Sequence, residues 1–402
     1  MQTFPEKATH QQTKTFNTQL VLKAIYDHET ISRADIARLT HLTRTTVSEL
    51  VAELINQGLV LEIGPGQSTG GKTPTLLSIA TDSRHLIVIG QADEAFIGAL
   101  VNLCGGICYH VSRPLKSHDG GLALKIVFEL VEELLAETDK PILGIGIGAP
   151  GLVDTDNGIV MRSINLDWVN LPLGQLLSER FNLPAYVAND SQVAALAQYL
   201  YGEGPKSPNL VTVKLGQGIG SGIVLGGKLY QGDGYGAGEI GHTTVVENGR
   251  LCRCGNRGCL ETVATERAIV QRVRESAAED HKSSLFQLAA SPDAITAETV
   301  FQAYLSGDEM VLAIIQEAAH YLGIALANLV GVLNLQHIWL TGRITRYGRP
   351  WLEQIRLEMR QRSLAALAND TQVEISSLPQ DVVVLGTSAL LLTRELGLDL
   401  AR

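Results

Sequence analysis

The sequence predicts an α/β protein in two parts: a small helical head that ends in a β-hairpin, then a body of two α/β lobes flanking a cleft. Three observations carry this. Apolar residues recur at helical spacing from residue 17 to Gly58, then switch to two short apolar runs, Leu59–Ile63 and Thr75–Ile79, around a Gly/Pro-rich stretch. From His85 onward, strands alternate with helices. A strand–turn–strand unit opens the body at residue 85 and returns at residue 210, so the body reads as two related lobes, and small ligands usually sit between such lobes. The chain's 402 residues suffice for two or three domains.

In the head, Leu20, Val21, Ala24 and Ile25 mark a first helix. Ser32 followed by Asp35 is a capping signature that opens a second helix through Ile36, Ala37 and Leu39. His41 and Leu42 make a tight connection, and Thr43 caps a third helix ending at Gly58. Val47, Leu50, Val51 and Leu54 share one face of that helix, while Thr45, Ser48, Glu49 and Ala52 lie opposite, with Arg44 at the border. Two helices across a tight turn, the second with a small polar outer face, followed by a hairpin, outline a winged helix-turn-helix. Side chains of this size approach base edges and phosphates without filling the major groove, and Lys72 at the hairpin tip has the reach for a minor groove or a phosphate. Arg44, Thr45, Thr46, Ser48 and Lys72 are therefore the candidate DNA contacts. A plain three-helix docking module shares the helical periodicity; the hairpin favours the winged reading.

Charge permits this reading without demanding it. Forty-two acidic residues against 32 Lys and Arg give a net charge of −10, which excludes a wholly basic nucleic-acid binder. Residues 1–80 hold seven of each sign, so the head is neutral and the body carries the whole excess. The first sixteen residues are polar and lack an apolar secretory core. The longest apolar run, Tyr321 to Leu335, contains two asparagines and falls short of the roughly 20 residues that cross a bilayer. A cytoplasmic protein without a membrane partner is expected.

In the body, His85–Leu103 reads as two strands with a turn at Gln91–Glu94. Residues 122–137 form an amphipathic helix through Leu124, Ile126, Val127, Leu130 and Leu134. Ile142–Gly148 is a strand alternating Ile with Gly, and Leu210–Leu215 with Ile223–Gly226 form the second strand pair. Between that pair lies Gly216-Gln-Gly-Ile-Gly-Ser-Gly222, a turn able to cradle phosphate through backbone N–H groups and equally able to serve a tight hairpin.

The strongest chemical signal is Gly238-Glu-Ile-Gly-His242 followed by Cys252-Arg-Cys254-Gly-Asn-Arg-Gly-Cys259-Leu-Glu261. Five cysteines is an odd number, and three of them crowd this loop, which favours metal in a reducing compartment over a disulfide scaffold or three free thiols. His242, Cys252, Cys254 and Cys259 supply the four ligands of a closed, structural Zn2+ site. Cys104 and Cys108, in an apolar stretch, read as packing residues. Folding the metal loop would bring Glu239, Glu261 and the free edge of His242 together, a set suited to paired sugar hydroxyls, although each glutamate alone is ordinarily a solvated surface residue. Asn189 and Asp190 open a helix after the strand Ala185–Ala188. From position alone they read as a cap, and against a sugar hydroxyl Asp190 becomes an acceptor or a base.

Taken in order, Gly144-Ile-Gly-Ile-Gly-Ala-Pro-Gly-Leu-Val-Asp154, Asn165-Leu-Asp-Trp168, Asn189-Asp190, Gly238–His242 and Cys252–Glu261 resemble the ROK family (repressors, open reading frames, kinases) across roughly residues 85–395. The resemblance implies an actin-like, hexokinase-like ATPase fold for the body, and residues 17–80 resemble the winged head of the family's regulator branch. It implies domains at 1–80, at 81–200 completed by a C-terminal helix 386–402, and at 201–385 with the zinc loop and dimerisation helices. It places Asn189, Asp190, Glu239, His242 and Glu261 on the sugar, with Asp190 at the position of the kinase base. The sequence departs from the kinase pattern where the phosphate loop belongs: Gly90-Gln-Ala-Asp-Glu-Ala-Phe96 lacks the paired glycines and adds acidic bulk. Leu340-Thr-Gly-Arg-Ile344 keeps one glycine of a second pair. These features imply a sugar-responsive regulator, expected to be a repressor without enzymatic activity, that binds operator DNA as a homodimer or dimer of dimers. The competing reading is an ATP-dependent sugar kinase with an added N-terminal module. An acidic pocket lining is expected to favour a free sugar over a phosphosugar.

Overall fold

A computed structural model describes residues 9–66, 73–92, 95–115, 119–203, 207–279, 284–378 and 381–398. The head comprises helices His10–Asp27, Arg33–Thr40 and Arg44–Asn56 with strands Val60–Pro65 and Thr75–Ile79. Each helix starts on a side-chain cap: Thr9, Ser32 and Thr43 accept the backbone N–H of Gln12, Asp35 and Thr46. His41, in the left-handed region at φ 57°, turns the chain between the second and third helices. The hairpin is antiparallel, and a two-residue strand, Ile31–Ser32, pairs along the other edge of Thr75–Ile79. Lys72 and the wing tip lie outside the described residues.

The first lobe is a five-stranded sheet in the order Ala185–Asn189, Ile142–Ala149, His85–Ala92, Ala95–Asn102 and Ile107–Pro114. The first three strands run parallel and the rest are antiparallel. Both faces are covered, so alternate residues enter different cores: Ile87, Ile89, Ile145 and Ile147 pack with the helix Gly120–Ala136, whereas Leu86 and Val88 face the C-terminal helix and the head. The Ile/Gly alternation has the same origin. A Cβ on Gly146 would meet Thr387 Cγ2 at 2.7 Å, so the glycines let the C-terminal helix lie directly on the strand. That helix runs Val382–Leu396, starting four residues earlier than expected because Val382 and Val383 pack with Ala188 and Val193. It closes at Gly397 in the left-handed region, at φ 60°.

The second lobe is a five-stranded sheet in the order Lys228–Tyr230, Ile219–Leu225, Leu210–Leu215, His337–Thr341 and Gln372–Ile375. One face carries the helices Glu266–Glu279, Ala297–Leu305, Glu309–Leu333 and Gly348–Arg362. Glu309–Leu333 is long and apolar by composition, and it packs inside this core. The expected glycine-rich turn is shorter than predicted. The strand resumes at Ile219, so Gly220 and Gly222 are strand residues opposite Lys214 and Thr212. They have no Cβ because the helix Asp190–Tyr201 lies against them: a Cβ on Gly222 would meet Gln192 Cα at 2.9 Å.

Helix Asp190–Tyr201 is the joint of the molecule. It packs on the second-lobe sheet through Ala195 and on the C-terminal helix through Val193, Ala194 and Ala197. Gly386 permits the second contact, since a side chain there would overlap the Val193 carbonyl. Gly386→Ala is expected to destabilise the body by about 1–3 kcal/mol, as overpacking of a dense interior does. A melting temperature equal to that of the unaltered chain would contradict this packing.

Candidate functional site

Two surfaces bring the chemistry-bearing residues together. The first is the outer face of helix Arg44–Asn56. Val47, Leu50, Val51 and Leu54 are buried in the head, which leaves Arg44, Thr45, Ser48 and Glu49 exposed on one side. Thr46 is half-buried, with its hydroxyl 2.9 Å from that of Thr43, so it belongs to the cap more than to the outer face. Most head cations are spoken for: Lys14, Lys23, Arg33 and Arg38 pair with Glu53, Asp27, Glu62 and Asp35. Among the described residues of the head, Arg44 is the basic side chain without a carboxylate partner. A neutral head thus presents a free guanidinium beside small hydroxyls.

The second surface is a cleft of about 330 Å³ between the lobes, lined by Asn165, Asn189, Asp190, Lys214, Gly216–Gly220, Glu239, His242 and Glu261. Asn189 caps the joint helix. Its Oδ1 accepts the N–H groups of Ser191 and Gln192 at 2.9 Å, and its Nδ2 donates to the Gly151 carbonyl at 2.8 Å. The cap sets the next residue, Asp190, at the cleft with its carboxylate buried. Asp190 Oδ1 accepts the Ser191 hydroxyl at 3.2 Å, and Oδ2 accepts from Lys214 Nζ at 2.8 Å. Glu261 accepts the Ile219 N–H at 2.7 Å, which ties it to the strand it faces. Glu239 keeps 42% of its side chain accessible, and its nearest basic group is His242 Nε2 at 3.8 Å. Desolvation in the cleft pushes the Glu239 carboxyl above its ordinary range; His242 opposes that shift, and the charges of Asp190 and Glu261 add to it.

His242 works at the boundary between cleft and loop. Its Nδ1 lies 3.7 Å from Cys252 Sγ, while Nε2 faces Glu239. The ligand atoms of His242, Cys252, Cys254 and Cys259 all fall within 4.8 Å of one another, and no disulfide joins the thiols. The Cys254–Cys259 sulfur separation is 3.7 Å. Tetrahedral thiolates on bonds of about 2.3 Å stand roughly 3.8 Å apart, so the spacing suits a metal ion. Burial pushes the Cys259 thiol up to about 12, with Cys254 and Cys252 adding to it, and a bound cation would oppose that shift. The loop returns Leu260 to the Thr243 carbonyl at 3.0 Å, which brings Glu261 back to the Glu239–His242 turn.

Two expectations need correction. The lining is not acidic: Arg162, Lys214, Arg253 and Arg343 match Asp190, Glu239 and Glu261, so charge alone does not disfavour a phosphosugar. Cys104 and Cys108 are exposed, not packed. On the opposite side of the cleft, Gln91 and Ala92 line the wall, whereas Asp93 and Glu94 lie outside the described residues. Arg343, in place of the second glycine, pairs with the buried Glu266 at 3.3 Å, and Arg346 joins the same carboxylate at 3.4 Å.

The family model described as "ROK family" matches residues 93–394, and the model described as "MarR family" matches residues 16–66. The chain belongs to the ROK family. The xylose repressor of Caldicellulosiruptor bescii is 35% identical over 391 residues, covering 96% of this chain and 97% of the repressor. A ROK-family transcriptional regulator described as a homologue of the E. coli MLC protein superimposes with a TM-score of 0.82 at 27% identity, covering 96% of this chain and 98% of the regulator. A ROK-family glucokinase from Streptomyces griseus, solved with glucose and AMPPNP, matches with a TM-score of 0.70 at 27% identity, covering 76% of this chain and 98% of the kinase. The body therefore has the hexokinase-like fold shared by regulators and kinases, and the head is a MarR-like winged helix-turn-helix.

Sequence reasoning missed Lys214, Asn165 as a wall residue, and the cationic side of the cleft. Lys214 had a signal: it is the charged residue in the mostly apolar strand Leu-Val-Thr-Val-Lys-Leu, residues 210–215.

Proposed function

We propose that this ROK-family chain is a sugar-responsive transcriptional repressor. The head reads operator DNA, and a free aldose in the cleft weakens that grip. The observation that carries this reading is the makeup of the cleft. The lining gathers Asn189, Asp190, Glu239, His242 and Glu261, acceptor-rich chemistry for hydroxyls. It also has Gln91, Ala92 and Arg343 where the resemblance to kinases calls for paired glycines, and Arg343 is held by the buried Glu266. Phosphoryl transfer depends on positioning and neutralising the phosphates, so a regulator fits better than an enzyme. The likeness to a xylose repressor over nearly the whole chain supports a pentose or hexose effector of carbohydrate-utilisation genes.

Head and body share one apolar core. Val21, Ile25 and Leu77 of the head pack in the same cluster as Leu86, Val101 and Leu391 of the body. The helix that begins at Asp190 in the cleft ends at Tyr201, whose buried hydroxyl sits between Tyr26 of the head and Ser388. Occupancy of the cleft thus has a packed route to the DNA-reading surface. On this reading the chain divides at 1–80, at 81–200 completed by the C-terminal helix, and at 201–385, although one apolar core crosses the first boundary and the helix Val382–Leu396 opens before the last. In this reading the His242–Cys252–Cys254–Cys259 site holds structural Zn2+, the working form is a homodimer or dimer of dimers on a two-fold-related operator, and the location is cytoplasmic.

An operator titration with the DNA upstream of the chain's own gene tests the function: a saturating aldose is expected to weaken binding by about 1–3 kcal/mol. Steady turnover of ATP, magnesium and an aldose at ordinary enzyme rates would establish the kinase instead. Arg44→Ala or Ser48→Ala is expected to cost about 1–3 kcal/mol of operator affinity while leaving aldose affinity intact; unchanged operator affinity would refute the recognition-helix assignment. Cys254→Ser is expected to lower bound zinc, measured by elemental analysis, and to reduce the melting temperature, since metal binding is linked to folding of the loop. Full zinc occupancy in that variant would contradict the ligand set.

A further inference from the structure

We propose that Lys214 is a specificity-determining residue of the cleft: its ammonium and the Asp190 carboxylate together read a single hydroxyl of the sugar, Lys214 donating and Asp190 accepting. This deepens the sugar reading of the cleft and rests on it.

Lys214 is the next-to-last residue of strand Leu210–Leu215, whose other positions are all buried. Its ammonium is 2.8 Å from Asp190 Oδ2, with the lysine side chain 25% accessible and the aspartate 8%. Both residues line the cleft. The partners come from opposite elements, Lys214 from the second-lobe sheet and Asp190 from the joint helix. Among the described residues, Asp190 is the carboxylate within ion-pair reach of Lys214. One of the three N–H groups is used there, and the others are available to a ligand.

The need for such a donor follows from hydroxyl chemistry. A sugar hydroxyl donates one hydrogen bond and accepts others, whereas ionised carboxylates only accept. The carboxylates of Asp190, Glu239 and Glu261 therefore satisfy hydroxyl protons and leave hydroxyl oxygens to donors in the lining; Asn165, Arg162, Arg253 and Arg343 are among these, and Lys214 is the one in direct contact with Asp190 among the described residues. Asn189 does not serve, because its oxygen caps the helix and its amide already donates to Gly151. Lys214 places a cationic donor beside the most buried of the three acids, and a hydroxyl bridging Nζ and Oδ2 is satisfied in both roles. Each Asp190 oxygen already accepts one hydrogen bond, Oδ2 from the ammonium and Oδ1 from the Ser191 hydroxyl, and each keeps a lone pair for a sugar hydroxyl. Because the pair is neutral as a unit, it selects a neutral polyol by hydroxyl position and not by charge.

Calorimetric titration of the full chain with D-xylose, D-glucose and the monodeoxy analogues of whichever binds tests this. Removing the ammonium is expected to weaken the parent sugar at least tenfold in Lys214→Met. Among the analogues, the one lacking the bridged hydroxyl is expected to bind the unaltered chain weakly and to lose little further in the variant. Lys214→Arg, which keeps a cationic donor, is expected to restore part of the discrimination. Lys214→Met/Asp190→Asn, which leaves no unpaired buried charge, is measured alongside by thermal melting and titration, and is expected to fold and to show the same selective loss. If the unaltered chain binds neither aldose, the sugar reading falls and this inference with it. Should the unaltered chain bind while Lys214→Met binds equally well, or loses all analogues by the same factor, this inference alone is overturned.

Discussion

The close seating of helix Asp190–Tyr201 is the constraint on which the other features depend. Its walls are backbone: Gly222 on the second-lobe strand and Gly386 on the C-terminal helix have no side chain because the helix occupies that space. Close packing of this kind transmits displacement, since a filled interior cannot absorb it locally. The same helix supplies the cap that orients Asp190 at one end and Tyr201 at the edge of the head's core at the other. One helix thus runs from the cleft to the core that head and body share.

Electrostatics divides labour between the two parts. The body carries the acidic excess, which disfavours DNA there, whereas in the head most basic side chains are internally paired and Arg44, among the described residues, has no carboxylate partner. Inside the cleft the balance is local. Ion pairs such as Lys214–Asp190 and Arg343–Glu266 leave little net charge despite the many ionisable groups. A neutral, hydroxyl-rich ligand suits that environment, and the loop that carries Cys252, Cys254 and Cys259 brings Glu261 back beside Glu239 and His242.

Most of the head was legible, because capping and helical periodicity are local: Ser32, Thr43, His41 and Gly58 mark boundaries that the structure keeps. The first helix starts at His10, seven residues before the expected start, because its opening turns are polar and capped by Thr9. The clustering of His242, Cys252, Cys254 and Cys259 was legible because thiol spacing is itself the signal. Other features were hidden for physical reasons. The strand Ile107–Pro114 is an edge strand with mostly polar or exposed positions, so it lacks an apolar signature. Gly220 and Gly222 look like turn residues, and only the helix packed against them reveals why a strand carries them. Lys214 was passed over because its partner lies on a distant element, and sign balance across a cleft is a property of the folded chain.

Cleft and head are expected to be thermodynamically linked, and linkage is reciprocal: whatever factor the sugar imposes on operator affinity, the operator must impose on sugar affinity. Measuring the sugar dissociation constant with and without saturating operator, beside the operator constant with and without saturating sugar, tests this in one square. Two equal factors of roughly 5–150, both weakening, are expected. A sugar that binds with the same affinity to the free and the operator-bound protein would contradict it.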